Sequence, residues 1–148
     1  LEQGYVEGGD ILRINNHFII GISGRTNETG AKNLSNIIEK NGGTSEIAIT
    51  PENTLHFKSE CSLLDEETIL ATDNLIKSDF FNKKYRIIKV PKGEETGANC
   101  LRINEHLLIP KGYDRLLDLV SKDYKVRVLD VTEMEKVDAG LSCLSLRW

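Results

Sequence analysis

The stretch from Ile11 to Ile20 reads ILRINNHFII, and the stretch from Cys100 to Ile109 reads CLRINEHLLI. Both copies contain Leu-Arg-Ile-Asn followed by a histidine, and equivalent residues lie 89 positions apart. Half of that offset points to a further copy near residue 56, where 55–64 and 68–71 have the pattern of two short strands around an acidic turn. A repeat of this length is typical of architectures built from units of roughly 20 to 50 residues.

Each copy contains the same predicted order of elements. The first has two strands joined at Asn15-Asn16, a helix capped by Thr26 or Asn27, and a closing strand at 45–50. The helix ends at Asn41-Gly42-Gly43. Its predicted buried stripe consists of Ala31, Leu34, Ile37 and Ile38.

The second and third copies repeat this order. In the second, a helix is predicted at 73–84 and a strand at 85–90. In the third, a helix is predicted at 113–122 and a strand at 125–131. The residues of the third helix that are expected to face inward are Leu116, Leu117 and Val120.

A strand-strand-helix-strand unit leaves one face of its sheet uncovered, so copies are expected to pack around a common axis. The predicted fold is therefore an α/β-propeller within one domain, 1–148, with units at about 9–51, 54–92 and 98–132. Residues 141–148 are expected to start a further strand. Three units do not close a ring, which predicts missing blades that precede this chain or lie in another. The alternative is a three-layer sandwich in which the LRIN segments recur by coincidence.

Composition excludes several classes of function. The chain has 148 residues, 39% of them hydrophobic, and a net charge of −4 with scattered basic residues, which argues against a nucleic-acid partner. Its apolar runs are shorter than the roughly 20 residues that span a bilayer, so no membrane association is expected. Three cysteines without CxxC spacing argue against a disulfide framework and a zinc site. A protein of the reducing cytoplasm, without metal or cofactor, is predicted.

The cysteines and histidines differ in their surroundings. Cys61 and Cys100 lie on apolar strand patterns, where a buried thiol with a raised pKa is expected. Cys143 instead follows a loop rich in turn-forming and charged residues. His17 and His106 occupy the same place in the repeat, which favours a structural or solvent-exposed role for both.

Three chemically useful residues enter at equivalent points of successive units. Glu7 is predicted to open the first strand of the first unit, His56 to open the first strand of the second, and Cys143 to open the strand after the third. A propeller would bring these points to one central site. A dispersed triad follows, in which Glu7 orients His56 and His56 serves Cys143.

Arg25 follows a predicted strand at a loop-to-helix junction. Its guanidinium could hold a carboxylate in a bidentate grip there, and a solvent-facing side chain is the alternative. The surrounding segment from Gly24 to Lys32 superficially suggests a phosphate-binding loop. Five residues separate its glycines and Ala31 precedes Lys32, so the spacing excludes that loop.

These candidates lie in six short segments: VEGGDIL (6–12), GISGRTN (21–27), LHFKS (55–59), ANC (98–100), EKVD (135–138) and LSC (141–143). In this order and with these gaps, the segments resemble those of the dimethylarginine dimethylaminohydrolase and arginine deiminase superfamily. The resemblance covers essentially the whole chain. It implies the five-bladed α/β-propeller of that superfamily, the pentein fold, of which this chain would supply about three units.

Carried over residue by residue, the resemblance implies that Cys143 is the nucleophile, His56 the general acid and base, and Glu7 its orienting carboxylate. It also implies that Arg25 binds the α-carboxylate of the substrate and that the Val137 carbonyl contacts the substrate. The implied reaction proceeds through a covalent thiouronium on the cysteine and gives citrulline.

The branch of the superfamily can be argued from Lys58. Arginine deiminases carry a carboxylate at this position, two residues after the catalytic histidine, and lysine cannot accept the same hydrogen bonds. The expected activity is therefore hydrolysis of a methylated arginine to citrulline and an alkylamine. The alternatives are an arginine deiminase, an amidinotransferase on a related guanidine, and an inactive fragment that acts as a binding module. The expected partners are a small guanidine substrate and the missing N-terminal units or a second chain, and a homo-oligomer is left open.

Overall fold

The computed structural model describes residues 3–81 and 84–145. This part of the chain forms three sheets of three strands, one for each repeat unit. A 3₁₀ turn precedes the first strand of each unit, and we call these the first, second and third inner turns. They are Gly8–Asp10, Phe57–Ser59 and Glu95–Ala98.

The order of elements is the same in the three units. The first contains β1 (Ile11–Ile14), β2 (His17–Ile22), α1 (Glu28–Lys40) and β3 (Thr44–Ile49). The second contains β4 (Cys61–Leu63), β5 (Thr68–Ala71), α2 (Asp73–Lys77) and β6 (Arg86–Lys89). The third contains β7 (Leu101–Ile103), β8 (His106–Pro110), α3 (Asp114–Val120) and β9 (Lys125–Leu129), and α4 (Thr132–Glu135) follows it.

The second strand of each unit is central in its sheet. It pairs antiparallel with the first strand and, after the helix, parallel with the third. In the two LRIN copies the hairpin turn places Asn15 and Asn104 at φ of +55° and +53°. Asparagine tolerates this left-handed region better than most residues. The repeat in sequence is thus a repeat of backbone conformation.

Helix α1 shows why the first unit folds as predicted. The Asn27 side chain caps it by accepting a hydrogen bond from Gly30 N at 2.7 Å. Ala31 and Ile38 are buried against the sheet. Ile37 is 49% exposed, so its predicted place in the buried stripe is wrong. A helix that packs on only one sheet buries a narrow face, and the Ile37 side chain lies outside this buried face of α1.

Successive units pack side by side. Strand β1 contacts β4 and β4 contacts β7, while the first inner turn contacts the second and the second contacts the third. Buried side chains of neighbouring units share a core, as Leu12 does with Ile69 and Leu70 with Leu107. The described chain therefore supplies three consecutive blades of an α/β-propeller, with first strands and inner turns on one side and helices on the other.

Three predicted elements differ from the structure. Of the strand expected at 55–64, only Cys61–Leu63 forms, as β4, because Phe57–Ser59 form the second inner turn. The helix expected at 73–84 ends at Lys77, and Asp79, two residues later, adopts a left-handed φ of +59°. Residues 141–144 form a turn, while the end of the strand predicted at 141–148 lies outside the described residues. The unit boundaries stay a prediction, with the observed strands inside them.

Candidate active site

Glu7 and His56 form a close pair across 49 positions of sequence. Nε2 of His56 lies 2.5 Å from Oε2 of Glu7. Nη1 of Arg25 donates to both carboxylate oxygens of Glu7, at 3.3 and 3.4 Å. The His56 side chain is 15% exposed, whereas those of Glu7 and Arg25 are 44% and 50% exposed. One carboxylate thus joins an imidazole and a guanidinium at the surface.

The inner turns place the two partners. Glu7 and His56 are the residues immediately before the first and second inner turns, and each backbone carbonyl accepts a hydrogen bond from within its turn, at 3.0 Å. Because these turns pack against each other, the two side chains meet. Glu7 and His56 therefore each precede a turn, and the prediction that they open strands is wrong. The turn's own hydrogen bonds occupy backbone groups that strand pairing would need.

Arg25 lies in the short connection between β2 and α1. Its backbone N–H donates to Ser23 Oγ at 3.0 Å. Sequence left two roles open for this residue, a grip on a carboxylate or a solvent-facing side chain. In the structure Nη1 of Arg25 contacts the carboxylate of Glu7 and half of the arginine side chain is exposed, so both roles stay predictions.

The pKa of the Glu7 carboxyl lies below its ordinary value. The hydrogen bond with His56 is the main cause. Desolvation opposes it as the second-largest effect, and the positive charge of Arg25 lowers the pKa further. Glu7 is therefore ionised at neutral pH. An ionised carboxylate on Nε2 can orient the imidazole and stabilise its protonated form.

Asp10, which the sequence analysis did not select, lies fully buried beneath this group. Its Oδ1 accepts a hydrogen bond from Phe57 N at 2.9 Å, next to His56. The sequence did contain a signal for it. An acid at the end of the inner turn corresponds, 89 positions later, to the polar residue Asn99.

Cys143 is exposed and lies in the turn that follows α4. Its backbone N–H bonds to Gly140 O at 3.0 Å. The preceding residue, Ser142, donates its N–H to Oδ1 of Asn99 at 2.9 Å, just after the third inner turn. Cys143 is thus connected, through Ser142 and Asn99, to the third inner turn, while Glu7 and His56 precede the first and second. No hydrogen bond links it to either of them within 3–81 and 84–145.

The other two cysteines are buried. Burial raises the pKa of the Cys100 thiol to about 12, and it raises the pKa of Cys61 further. The Cys100 Sγ also donates to Gly97 O at 3.0 Å. Both thiols lie in the core, as their apolar patterns predicted.

Three further residues that were considered from the sequence have different surroundings. Val137 follows α4 and is 72% exposed. Lys58 lies half-buried in the second inner turn. His17 has a structural partner, because its Nδ1 lies 2.8 Å from Thr44 Oγ1 between adjacent strands.

The described residues contain no cluster of three or more histidine, cysteine or acidic side chains that could hold a metal ion. No helix among them combines the length and apolarity that crossing a membrane requires.

Comparison with known proteins identifies the site's relatives. The family model described as arginine deiminase matches residues 1–109. The N(G),N(G)-dimethylarginine dimethylaminohydrolase of Pseudomonas aeruginosa is 36% identical over 98% of this chain and 57% of its own length. The protein of the same name from Streptomyces coelicolor is 30% identical over 99% of this chain and 55% of its own.

A solved structure shows the same architecture. It is that of the Pseudomonas aeruginosa enzyme, as a cysteine-to-serine mutant complexed with citrulline. It superimposes with a TM-score of 0.91 at 36% identity, over 98% of this chain and 56% of that one. This chain spans a little over half the length of the relatives it matches.

Proposed function

Because this chain belongs to the arginine deiminase family, we propose that it carries the catalytic residues of an amidine hydrolase acting on a methylated arginine. The observation that carries the proposal is the Glu7–His56 pair, which the inner turns align with the turn of Cys143. The likeness to dimethylarginine dimethylaminohydrolases supports the substrate class. The products would be citrulline and an alkylamine.

In the proposed reaction Cys143 attacks as a thiolate. Its sulfur forms a bond to the guanidinium carbon, and the carbon–nitrogen bond to the alkylamine breaks as His56 protonates that nitrogen. Water then attacks the resulting thiouronium carbon while His56 takes its proton, and the thiolate leaves. Glu7 holds the imidazole through Nε2 and balances its charge during both steps.

Arg25 and Val137 are proposed to bind the substrate. Nη1 of Arg25 contacts the Glu7 carboxylate beside His56, and this contact supports the proposal. The α-carboxylate of an amino-acid substrate would offer it a second, similar partner. The Val137 carbonyl, at the exposed end of α4, would accept a hydrogen bond from the substrate.

Lys58 favours the dimethylaminohydrolase branch over the deiminases. A carboxylate two residues after His56 would bind an unsubstituted guanidinium, and an ammonium group cannot accept those hydrogen bonds. The experiment is to assay release of dimethylamine from dimethylarginine, release of ammonia from arginine, and amidine transfer to glycine. Dimethylamine release alone supports the proposal, whereas ammonia release or transfer selects the related enzyme classes.

The proposed enzyme needs the other blades of its propeller. This chain covers a little over half of its relatives, so we propose that N-terminal units, in the same polypeptide or in a second chain, complete the substrate pocket. Activity of the 148-residue chain that appears only when those units are added would support this. Inactivity in every combination would select a binding module. We place the enzyme in a reducing compartment such as the cytoplasm, where its three free cysteines would persist.

A further inference from the structure

Asp10 is a buried carboxylate outside the proposed chemistry. Its side chain has no exposed surface, and burying a charge is costly unless hydrogen bonds compensate for it. Three donors do so. Oδ1 accepts from Phe57 N at 2.9 Å, and Oδ2 accepts from Thr26 Oγ1 at 2.7 Å and from Ser23 Oγ at 2.8 Å.

Each donor lies beside one residue of the proposed site. Phe57 directly follows His56. Thr26 Oγ1 accepts the backbone N–H of Glu7 at 3.0 Å. Ser23 Oγ accepts the backbone N–H of Arg25 at 3.0 Å.

Three backbone segments from two blades therefore meet on one carboxylate.

Asp10 thus anchors backbone segments that carry proposed site residues, and the third repeat unit contains a second such anchor. Asn99 occupies the position of Asp10 in the third unit, 89 residues later. Its Oδ1 accepts the backbone N–H of Ser142 at 2.9 Å, immediately before Cys143. In both cases a side chain at the end of an inner turn or directly after it holds the turn that comes next along the chain.

The two anchors differ in the donors that they hold. The Asp10 carboxylate accepts from Phe57 N and from two hydroxyls, whereas Oδ1 of Asn99 accepts the backbone N–H of Ser142.

We propose that Asp10 and Asn99 are positioning residues, Asp10 for Glu7, Arg25 and His56, and Asn99 for Cys143. This rests on the proposed roles of those four residues. An amide at position 10 would be a weaker anchor. With its oxygen on Phe57 N, its NH₂ group could donate only to hydroxyl oxygens that already accept from Glu7 N and Arg25 N, and the protons of both hydroxyls would lose their acceptor.

The test for Asp10 is the ring N–H resonance of His56 in the 148-residue protein, assigned by its loss in His56→Gln. A ring proton held by Glu7 is expected downfield and protected from exchange. We expect Asp10→Asn and Asp10→Ala to abolish this resonance while the backbone amide spectrum stays dispersed. If the alanine variant unfolds, Asp10→Asn and Thr26→Val decide. Thr26→Val removes the hydroxyl that joins Asp10 to Glu7 and leaves the bonds of Asp10 to Phe57 N and Ser23 Oγ in place.

The matched control is Glu94→Gln. Glu94 is also a buried carboxylate, and it accepts hydrogen bonds from Leu116 N and Arg115 without touching the site. It should lower stability but leave the His56 resonance in place. The proposal fails if the Asp10 variants keep the resonance, if Glu94→Gln also loses it, or if the unsubstituted protein lacks it. None of these readouts needs turnover, so an inactive enzyme would leave the positioning role standing.

The test for Asn99 is hydrogen exchange at the Ser142 amide. Asn99→Ala should raise the exchange rate at least about tenfold, whereas Asn99→Asp keeps an acceptor and should restore protection. Asn74→Ala, an exposed change on α2, serves as the control. Equal protection in Asn99→Ala and the unsubstituted protein would overturn this part of the proposal.

Discussion

Gly9 lies so close to the ring of His56 that a Cβ atom at Gly9 would stand 2.5 Å from the ring Cγ. Real Cβ atoms do not approach other atoms so closely, so the ring or the first inner turn would have to move. The backbone of this turn is thus one wall of the slot that holds the imidazole against Glu7. The adjacent Gly8 has open space at the same point, with no atom within 4 Å of a Cβ.

We predict that Gly9→Ala separates His56 from Glu7 and impairs catalysis. A displacement of about 1 Å costs on the order of 10²-fold in rate when catalytic groups must be aligned. kcat/KM for dimethylarginine should fall by about that factor, measured in the form of the protein that turns over substrate. Gly8→Ala, one residue away, should stay within a few-fold of the unsubstituted protein. Equal effects of the two alanines would show that the close contact has no role.

His56 should be the only histidine required for turnover. His56→Ala removes the proposed general acid and base, and such groups contribute roughly 10² to 10⁴-fold to rates. His17→Ala breaks contacts with Thr44 and Glu46 on β3 and should change stability more than kcat. Steady-state kinetics of both variants, with thermal unfolding measured in parallel, separate the two effects. Near-normal turnover in His56→Ala would remove it from the mechanism.

Much of the fold could be predicted because its signals are local. The asparagines of the two LRIN hairpins, Asn15 and Asn104, occur where left-handed turn residues are needed, and Asn27 caps its helix in the usual way. The segment around His56 was harder, because its alternating polar and apolar residues resemble a strand. Its true conformation depends on Asp10, whose carboxylate takes the N–H of Phe57 across 47 residues.

The candidate site also combines residues that the sequence pattern identifies with contacts that depend on the fold. Glu7 and His56 could be selected because the repeat places both before the first strand of a unit. For Asp10 the polar residue at the equivalent position of the repeat, Asn99, was a signal, but its burial could not be predicted, since a buried acid with three donors has the same sequence pattern as an exposed acid in a turn. Likewise, Arg25 could be assigned to a carboxylate but not to that of Glu7.

Glu94 should make stability depend on pH in the acid range. Burial raises the pKa of Glu94, but hydrogen bonds from Leu116 N and Arg115 outweigh that effect and leave the pKa below its ordinary value. A depressed pKa means that the stabilisation is present above the unfolded value of about 4.3 and is lost as the pH falls through the folded value.

The measurement is thermal unfolding between about pH 7 and pH 3. Glu94→Gln should cost on the order of 1 to 3 kcal/mol near neutral pH, where the carboxylate's hydrogen bonds are fully formed. It should lose less stability on acidification than the unsubstituted protein. Glu66→Gln, on an exposed turn, should follow the unsubstituted curve. Parallel curves for all three proteins would contradict the role of Glu94.

Cys143 should be the thiol that an amidine electrophile such as chloroacetamidine labels first at neutral pH. It is exposed, whereas Cys61 and Cys100 are buried. A pKa of about 12 leaves Cys100 with about a thousandfold less thiolate than an ordinary cysteine, and Cys61 has even less. Peptide mapping after brief labelling should therefore place nearly all of the adduct on Cys143.

Two comparisons make this labelling test specific for the proposed nucleophile. Folded Cys143→Ser protein should stay almost unlabelled, while the same variant in denaturant should react at both remaining thiols. Chloroacetamidine should outpace iodoacetamide at Cys143 only when the added N-terminal units complete the pocket, because recognition of the amidine needs more than an exposed sulfur. Preferential labelling of Cys61 or Cys100, or turnover that survives Cys143→Ser, would exclude Cys143 as the nucleophile. Labelling at Cys143 that never distinguishes the two reagents would leave an exposed thiol without a guanidine site around it.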